Sequence, residues 1–377
     1  MKLLKDLFNA RYILSISRMA WIDYARGICI ILVCYRHCFD GLREAGLATG
    51  DFPLLQILNL CFYSFRMPLF FIISGLFVSR GLQKKGLIAY SRSRFSVVFY
   101  PLMVWGALQI TLQLIFRNYV NGNPNYTDYL NLIIYPRNPA NSQQFWYLNA
   151  LFFVGIFYAF FKVVFRLKLW QQAALSVLMY LAGDSLIHFH VKQFLFQDVL
   201  HYYLYFFLGD LISGFIFQKK ATDLLLSVRW MTISALLFLV TQSVFTIVNF
   251  EHSDDNYISG NLLWLNLLIS LSGCLFVVQV CKWLERKNVL QWLRIIGYHS
   301  LYIYLMHLMV IAAVRVVLVH VLHITYVPVI LATAIFAGVL VPMVVYNIVT
   351  RLGAWWLFSL KKPVGEIQQF RSYLKTA

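Results

Sequence analysis

In the segment Asp23-Tyr-Ala-Arg26-Gly-Ile-Cys-Ile-Ile-Leu-Val-Cys-Tyr-Arg36-His37, ten residues separate Arg26 from His37 inside the first strongly apolar stretch of the chain. Ionisable groups at membrane depth are costly, and they persist where they face a cavity, a partner or a substrate. A helical step from 26 to 37 makes about three turns and rises about 16 Å, so both side chains project from one face. Imidazole has an unperturbed pKa near neutrality, which suits His37 to general-base work. The forked guanidinium of Arg26 suits a phosphate or carboxylate. Such a pair could grip the two ends of one long, thin, anionic ligand. The plainer alternatives are neutralisation of Arg26 by Asp23, three residues earlier, and an interfacial role for His37 through hydrogen bonds alone.

Other residues could join this chemistry. Arg92 and Arg94, with Lys84 and Lys85 nearby, form a second basic set, although membrane topology explains the lysines as well. Arg36 and Arg66 lie within apolar windows, and Tyr304 and His307 sit about one turn apart, where they could line a cavity or hydrogen-bond another helix. Ser74 and Gly75 read as small residues for close helix packing rather than as a nucleophile. Asp210 stands alone in an apolar window and is expected to balance one of the buried arginines.

The elements that position these groups follow from composition. The chain has 377 residues, 60% hydrophobic and 17% aromatic with only 12% charged, and its mean hydropathy is +0.69. Soluble domains carry about 25% charged residues, so this is an all-α polytopic membrane protein. Ten windows are long enough to cross roughly 30 Å of hydrocarbon: residues 21–39, 54–78, 95–116, 145–165, 171–187, 199–217, 230–250, 262–281, 296–319 and 327–350. An even number places both termini on one side. Residues 1–20 read as an N-terminal arm, 21–350 as one transmembrane domain, and 351–377 as a tail whose Trp355 and Trp356 favour an interfacial position. Nothing at the N-terminus has a signal-peptide pattern.

The formal charge of +17 would suggest nucleic acid, but the positions of the basic residues exclude that reading. They gather in the arm, the tail and alternate connections, for example Arg80, Lys84, Lys85, Arg92 and Arg94, then Lys282, Arg286, Lys287 and Arg294. The opposite side carries only Arg43, Arg117, Arg137 and Lys192. This asymmetry places the termini in the cytoplasm. The six cysteines all fall in or at apolar windows without metal-ligand spacing, so no metal is expected. The turn-rich stretch 117–144 and the acidic turn 251–256 belong to the outer side, and the former could cap the mouth of a cavity.

Several segments in this order resemble the membrane acyltransferase 3 family. They are Ile22-Asp-Tyr-Ala-Arg26-Gly-Ile running on to His37, Phe65-Arg-Met-Pro68-Leu-Phe-Phe-Ile-Ile-Ser74-Gly75, Ser91-Arg92-Ser-Arg94-Phe, Phe145-Trp146-Tyr-Leu, Phe207-Leu-Gly209 and Ser300-Leu-Tyr-Ile-Tyr304-Leu-Met-His307. The chain departs from the family pattern at Arg66, where members often carry histidine, and at Arg36 directly before His37. The resemblance implies an integral membrane O-acyltransferase that moves an acyl group, with acetyl expected, from cytoplasmic acyl coenzyme A to a hydroxyl of a cell-envelope carbohydrate or lipid-linked glycan. It implies His37 as general base, Arg26 with Arg92 and Arg94 on the coenzyme phosphates, and a multi-pass location in the plasma (inner) membrane among its lipids. Arg36, Arg66, Tyr304 and His307 are the candidates for acceptor binding. Transfer could be direct or could pass through an acyl-histidine. The alternative from another class is a transporter or flippase for an anionic or lipid-linked solute, with Arg26, Arg66 and Arg315 as its charged path.

Overall fold

The computed structural model describes residues 8, 13–14, 19–137, 144–188 and 195–361. Lys2, Lys5, Arg11 and Arg18 of the arm, Pro139, Lys192, and Lys362, Arg371 and Lys375 of the tail lie outside the described residues. Among the described residues every regular element is helical. Eight helices are long and apolar enough to cross a membrane: Pro53–Gly75, Val78–Ile115, Trp146–Val163, Leu195–Ile216, Val228–Glu251, Leu263–Lys287, Ser300–Val321 and Val327–Arg351. The first and fifth windows are also helical, over Ala20–Glu44 and Leu169–His188. Composition weakens those two: the first helix holds Asp23, Arg26, Arg36, Asp40, Arg43 and Glu44, and the fifth window holds Gln171, Gln172 and Asp184.

The helices used below are α1 (Ala20–Glu44), α2 (Pro53–Cys61), α3 (Arg66–Gly75), α4 (Val78–Arg94), α5 (Tyr100–Ile115), α6 (Trp146–Val163), α7 (Leu169–His188), α8 (Leu195–Ile216), α9 (Val228–Glu251), α10 (Leu263–Lys287), α11 (Trp292–Tyr298), α12 (Ser300–Val316) and α13 (Val327–Arg351). The second window is two helices, because a turn at residues 62–65 separates α2 from α3. The basic connection before the third window is itself helical. It turns at Gly86, whose φ of 72° only a residue without Cβ adopts readily, and a π turn at Phe95–Phe99 carries it into α5.

Helix α1 is the hub. It packs against α2, α3, α10, α11, α12 and α13, and its buried positions run from Ala20 to Leu42. A helix with six charged side chains is tolerable at membrane depth only when other helices rather than lipid surround it. Close approach to this hub requires glycine. A Cβ on Gly297 of α11 would lie 1.7 Å from the Asp23 carbonyl oxygen, and one on Gly27 would lie 2.3 Å from that of Leu293. The same device joins α3 to α8, where a Cβ on Gly75 would meet the Phe206 oxygen at 2.0 Å and one on Gly209 the Ile72 oxygen at 2.1 Å. The small-residue reading of Gly75 is therefore its role in the fold.

The expectation for Asp210 needs correction. Its carboxylate meets Lys162 of α6, with Ser79 donating at 2.5 Å and Tyr158 at 2.7 Å. Lys162 reaches it because α6 packs directly on α8, whereas the buried arginines bind elsewhere. Arg66 donates to the Leu32 carbonyl at 2.6 Å and Arg315 to the Gly41 carbonyl at 2.7 Å, both on α1. The start of the tail is held on the bundle: Trp105 donates to the Leu357 carbonyl at 2.9 Å, and Phe358 is buried against Trp105, Tyr302 and Tyr346.

Gly297→Ala should destabilise the bundle by about 3 kcal/mol or prevent its assembly, since the opposing atom is backbone. Gly50→Ala, where a Cβ meets nothing within 4 Å, should leave the thermal midpoint of the detergent-purified protein unchanged. Equal midpoints for the two variants would refute the close-crossing argument.

Candidate active site

His37 projects from α1 toward α12, where its ring meets that of His307 at 5.3 Å between centroids. It also lines a cavity of about 540 Å³. The polar wall of the cavity comes from Asp40 and Glu44 of α1, Gln109 and Gln113 of α5, Asn121, and Arg315, and its apolar wall comes from Leu308, Met309, Ile311 and Ala312 of α12. Glu44 and Tyr119 are exposed, so the mouth opens at the C-terminal end of α1, opposite the basic connections. His37 lies seven residues, about 10 Å, from that end of the helix. It is thus deeper from the non-basic face than its place in the 21–39 window conveys, because the helix continues to Glu44. Among the described residues no hydrogen-bond partner engages its imidazole. Gln113 adds a second open group, an Oε1 that is buried without a partner.

The other side of the histidine pair leads to a run of aromatic rings. Tyr304 lies 5.8 Å from His307 and 5.2 Å from Tyr147, and Tyr147 in turn meets Phe70 and Phe71 at 5.5 and 5.4 Å. Phe71 stacks on Tyr202 at 4.4 Å, and Tyr202 leads to Trp146. Arg26 and Arg94 both lie within electrostatic reach of the Tyr147 hydroxyl, so the structure brings these two arginines to one region. Arg94 donates to the Leu151 carbonyl at 3.2 Å, and its guanidinium occupies the space left by Gly155 on α6, while its Nε is buried without a partner among the described residues. Arg92, two residues earlier, is exposed, since neighbours two apart on a helix do not share a face. Arg26 does not line the cavity that reaches His37.

Arg36 belongs to a clasp at the outer end. It pairs with Asp40 one turn on and with Asp255 at 2.6 Å, and Arg43 approaches both carboxylates at 3.4 Å. The Tyr63 ring lies between the Arg36 and Arg66 guanidinium groups, at 4.8 and 5.1 Å, and its hydroxyl donates to Asn256 at 2.8 Å. These contacts tie α1, the 62–65 turn and the acidic outer turn together. Asp40 was readable from its spacing to Arg36. The long-range partners had no local signal.

Arg137 shows the same limit. It forms a forked pair with Asp198, each contact at 2.8 Å, and lies 3.8 Å over the Trp146 ring. Burial opposes the charge on Arg137, but the Asp198 carboxylate outweighs it and raises the guanidinium pKa above its ordinary value. Asp198→Asn should cost about 2 kcal/mol of stability, and Arg137→Lys should cost a comparable amount because lysine has neither the fork nor the planar stacking face. Arg43→Ala, at an exposed ion pair, should cost less than about 1 kcal/mol. Thermal midpoints of the three purified variants test this order, and an Arg43→Ala loss equal to the other two would contradict it.

Residues 19–347 match the family described as an acyltransferase domain, the acyltransferase 3 family. Comparison with curated proteins returns no match, and neither does comparison with solved structures. The matched stretch takes in α1 through most of α13, including His37, Arg26, Arg94 and His307, so this chain belongs to the acyltransferase 3 family and is a multi-pass membrane acyltransferase.

Proposed function

We propose that the protein transfers a short acyl group, acetyl first among them, from cytoplasmic acyl coenzyme A to a hydroxyl of a cell-envelope carbohydrate, in the plasma (inner) membrane. The observation that carries this reading is the place of His37: an imidazole with no hydrogen-bond partner among the described residues, at the inner end of a cavity that opens away from the basic face. A thioester is already activated, so a single base suffices. His37 removes the acceptor's proton as its oxygen attacks the carbonyl carbon. The C–O bond forms, the C–S bond breaks, and the departing thiolate recovers the proton from the imidazolium. Direct transfer therefore needs no acyl-histidine.

On the donor side, Arg94 and Arg26 are the residues for the coenzyme phosphates. The unpartnered Nε of Arg94 supports this, because a buried guanidinium donor without an acceptor is costly unless a ligand completes it. Arg92 takes at most an outer contact. Arg36, whose charge Asp40 and Asp255 already balance, and Arg66, held on the Leu32 carbonyl, shape the outer end rather than bind the acceptor. The rival reading, transport along Arg26, Arg66 and Arg315, is weakened because Arg66 and Arg315 are both fastened to carbonyls of α1.

His37→Gln should abolish acylation of surface glycans, read by mass spectrometry of cells with and without the protein, at unchanged protein level. Persistent acyl groups in that variant would reject the mechanism. Arg94→Ala should weaken acetyl coenzyme A binding by roughly 10- to 100-fold, the loss of one charge-assisted contact, and Arg92→Ala by less than about threefold. Isothermal titration with acetyl coenzyme A measures both, and equal effects would remove the distinction drawn between them.

A further inference from the structure

Two histidines, His299 just before α12 and His307 within it, make the same backbone contact and differ in one atom. His299 places Nδ1 2.8 Å from the Ile295 carbonyl oxygen, and His307 places Nδ1 3.1 and 2.9 Å from those of Ile303 and Tyr304. A carbonyl oxygen can only accept, so Nδ1 carries the hydrogen in both rings and Nε2 of the neutral ring is a lone pair. In His299 that lone pair takes a hydrogen bond from the Asn347 amide at 3.0 Å. In His307 it has no partner among the described residues, although the residue is 0% exposed. A buried acceptor left open is a loss unless something donates to it during function. The buried Tyr304 hydroxyl, on a ring 5.8 Å away, is one neighbouring donor; the neighbour that also lines the cavity is His37, whose ring lies 5.3 Å away.

We propose that His307 is a positioning residue for acyl transfer, its Nε2 lone pair accepting an N–H of His37 as His37 takes the acceptor's proton. This inference rests on the general-base reading of His37. His37 bonds to His307 through one ring nitrogen and meets the acceptor hydroxyl with the other. The positive charge that develops on His37 is then met by a fixed acceptor rather than by apolar side chains. When the thiolate recovers the proton, both rings are neutral again, and no oxidant or further reactant is needed. The place of His307 corresponds to that of the buried carboxylate in a serine-histidine-aspartate triad, with a neutral acceptor instead of an anion. Arg66 and Arg36, both within electrostatic reach of His37, oppose a positive charge there, so a fixed acceptor for its N–H offsets part of that cost.

The test is turnover of acetyl coenzyme A by the full chain in proteoliposomes, read as thiol release with surface glycan from deletion cells as acceptor, beside titration of acetyl coenzyme A binding. His307→Leu keeps the volume and removes the lone pair. It should lower turnover about 100-fold while changing acetyl coenzyme A affinity less than about twofold. His307→Gln, whose amide oxygen reaches the Nε2 position, should be roughly tenfold faster than His307→Leu, and His307→Asn, which is one methylene too short, should not be. Leu at wild-type speed, or Gln no faster than Asn, overturns the proposal; the Gln and Asn pair decides it should the Leu variant fail to fold. A His37→Gln protein that still turns over would instead overturn the base assignment, whatever the His307 variants do.

Discussion

The structure depends on one constraint, that a helix carrying Asp23, Arg26, Arg36, His37 and Asp40 must be kept from lipid. An uncompensated charge at membrane depth costs several kcal/mol, and a single helix holding this set does not stand alone in a bilayer. Surrounding α1 with six other helices meets the constraint, and it explains the form of the contacts. Arg66 and Arg315 do not seek carboxylates. They donate to Leu32 and Gly41 carbonyls of α1 itself, where the backbone oxygen's second lone pair is available after the helical bond. The hub is thereby clamped by the same residue type that makes it costly to bury.

Two kinds of crossing hold the bundle, and they divide the work. Where backbones must touch, at Gly297 on Asp23 and at Gly75 on Gly209, the contact is van der Waals and tolerates no side chain. Where helices stand further apart, polar pairs span the gap: Asp210 with Lys162, Ser79 and Tyr158 near the basic face, and Arg137 with Asp198 at the other. The touching crossings bring α1 against α11 and α3 against α8. That leaves α1 to meet α12 through longer side chains, and the space between α1, α5 and α12 is where the cavity lies.

Sequence reading recovered the parts of this arrangement whose signal is local. Apolar runs mark the ten helices. Gly75 follows Ser74 in a recognisable small-residue pair. Contacts between distant segments left no such mark. Asp210 stood alone in its window, so an arginine was the natural partner to expect, and only the packing of α6 on α8 shows Lys162 to be it. Arg36 read as an acceptor-site candidate because nothing near it in the chain except Asp40 shows that Asp255, more than two hundred residues away, also balances it. Arg92 and Arg94 looked equivalent as a pair of charges, and helical geometry separates them, with Arg94 turned into the Gly155 space and Arg92 to the surface.

The difference between His299 and His307 shows how a membrane enzyme can be read from its unmet bonds. Both rings lose the same solvent on burial and both recover one hydrogen bond from the preceding turn of helix. Asn347 completes His299, and the group that completes it is as deeply buried as the ring. At His307 no side chain among the described residues replaces that amide, and the ring lies 5.3 Å from that of the histidine that lines the cavity. Stability alone would favour another asparagine or an apolar residue there, since an unmet buried acceptor costs about 1–3 kcal/mol. On the proposed mechanism this cost sits beside the imidazole that becomes cationic, as differential stabilisation of a transition state requires: the proposed interaction forms as charge develops.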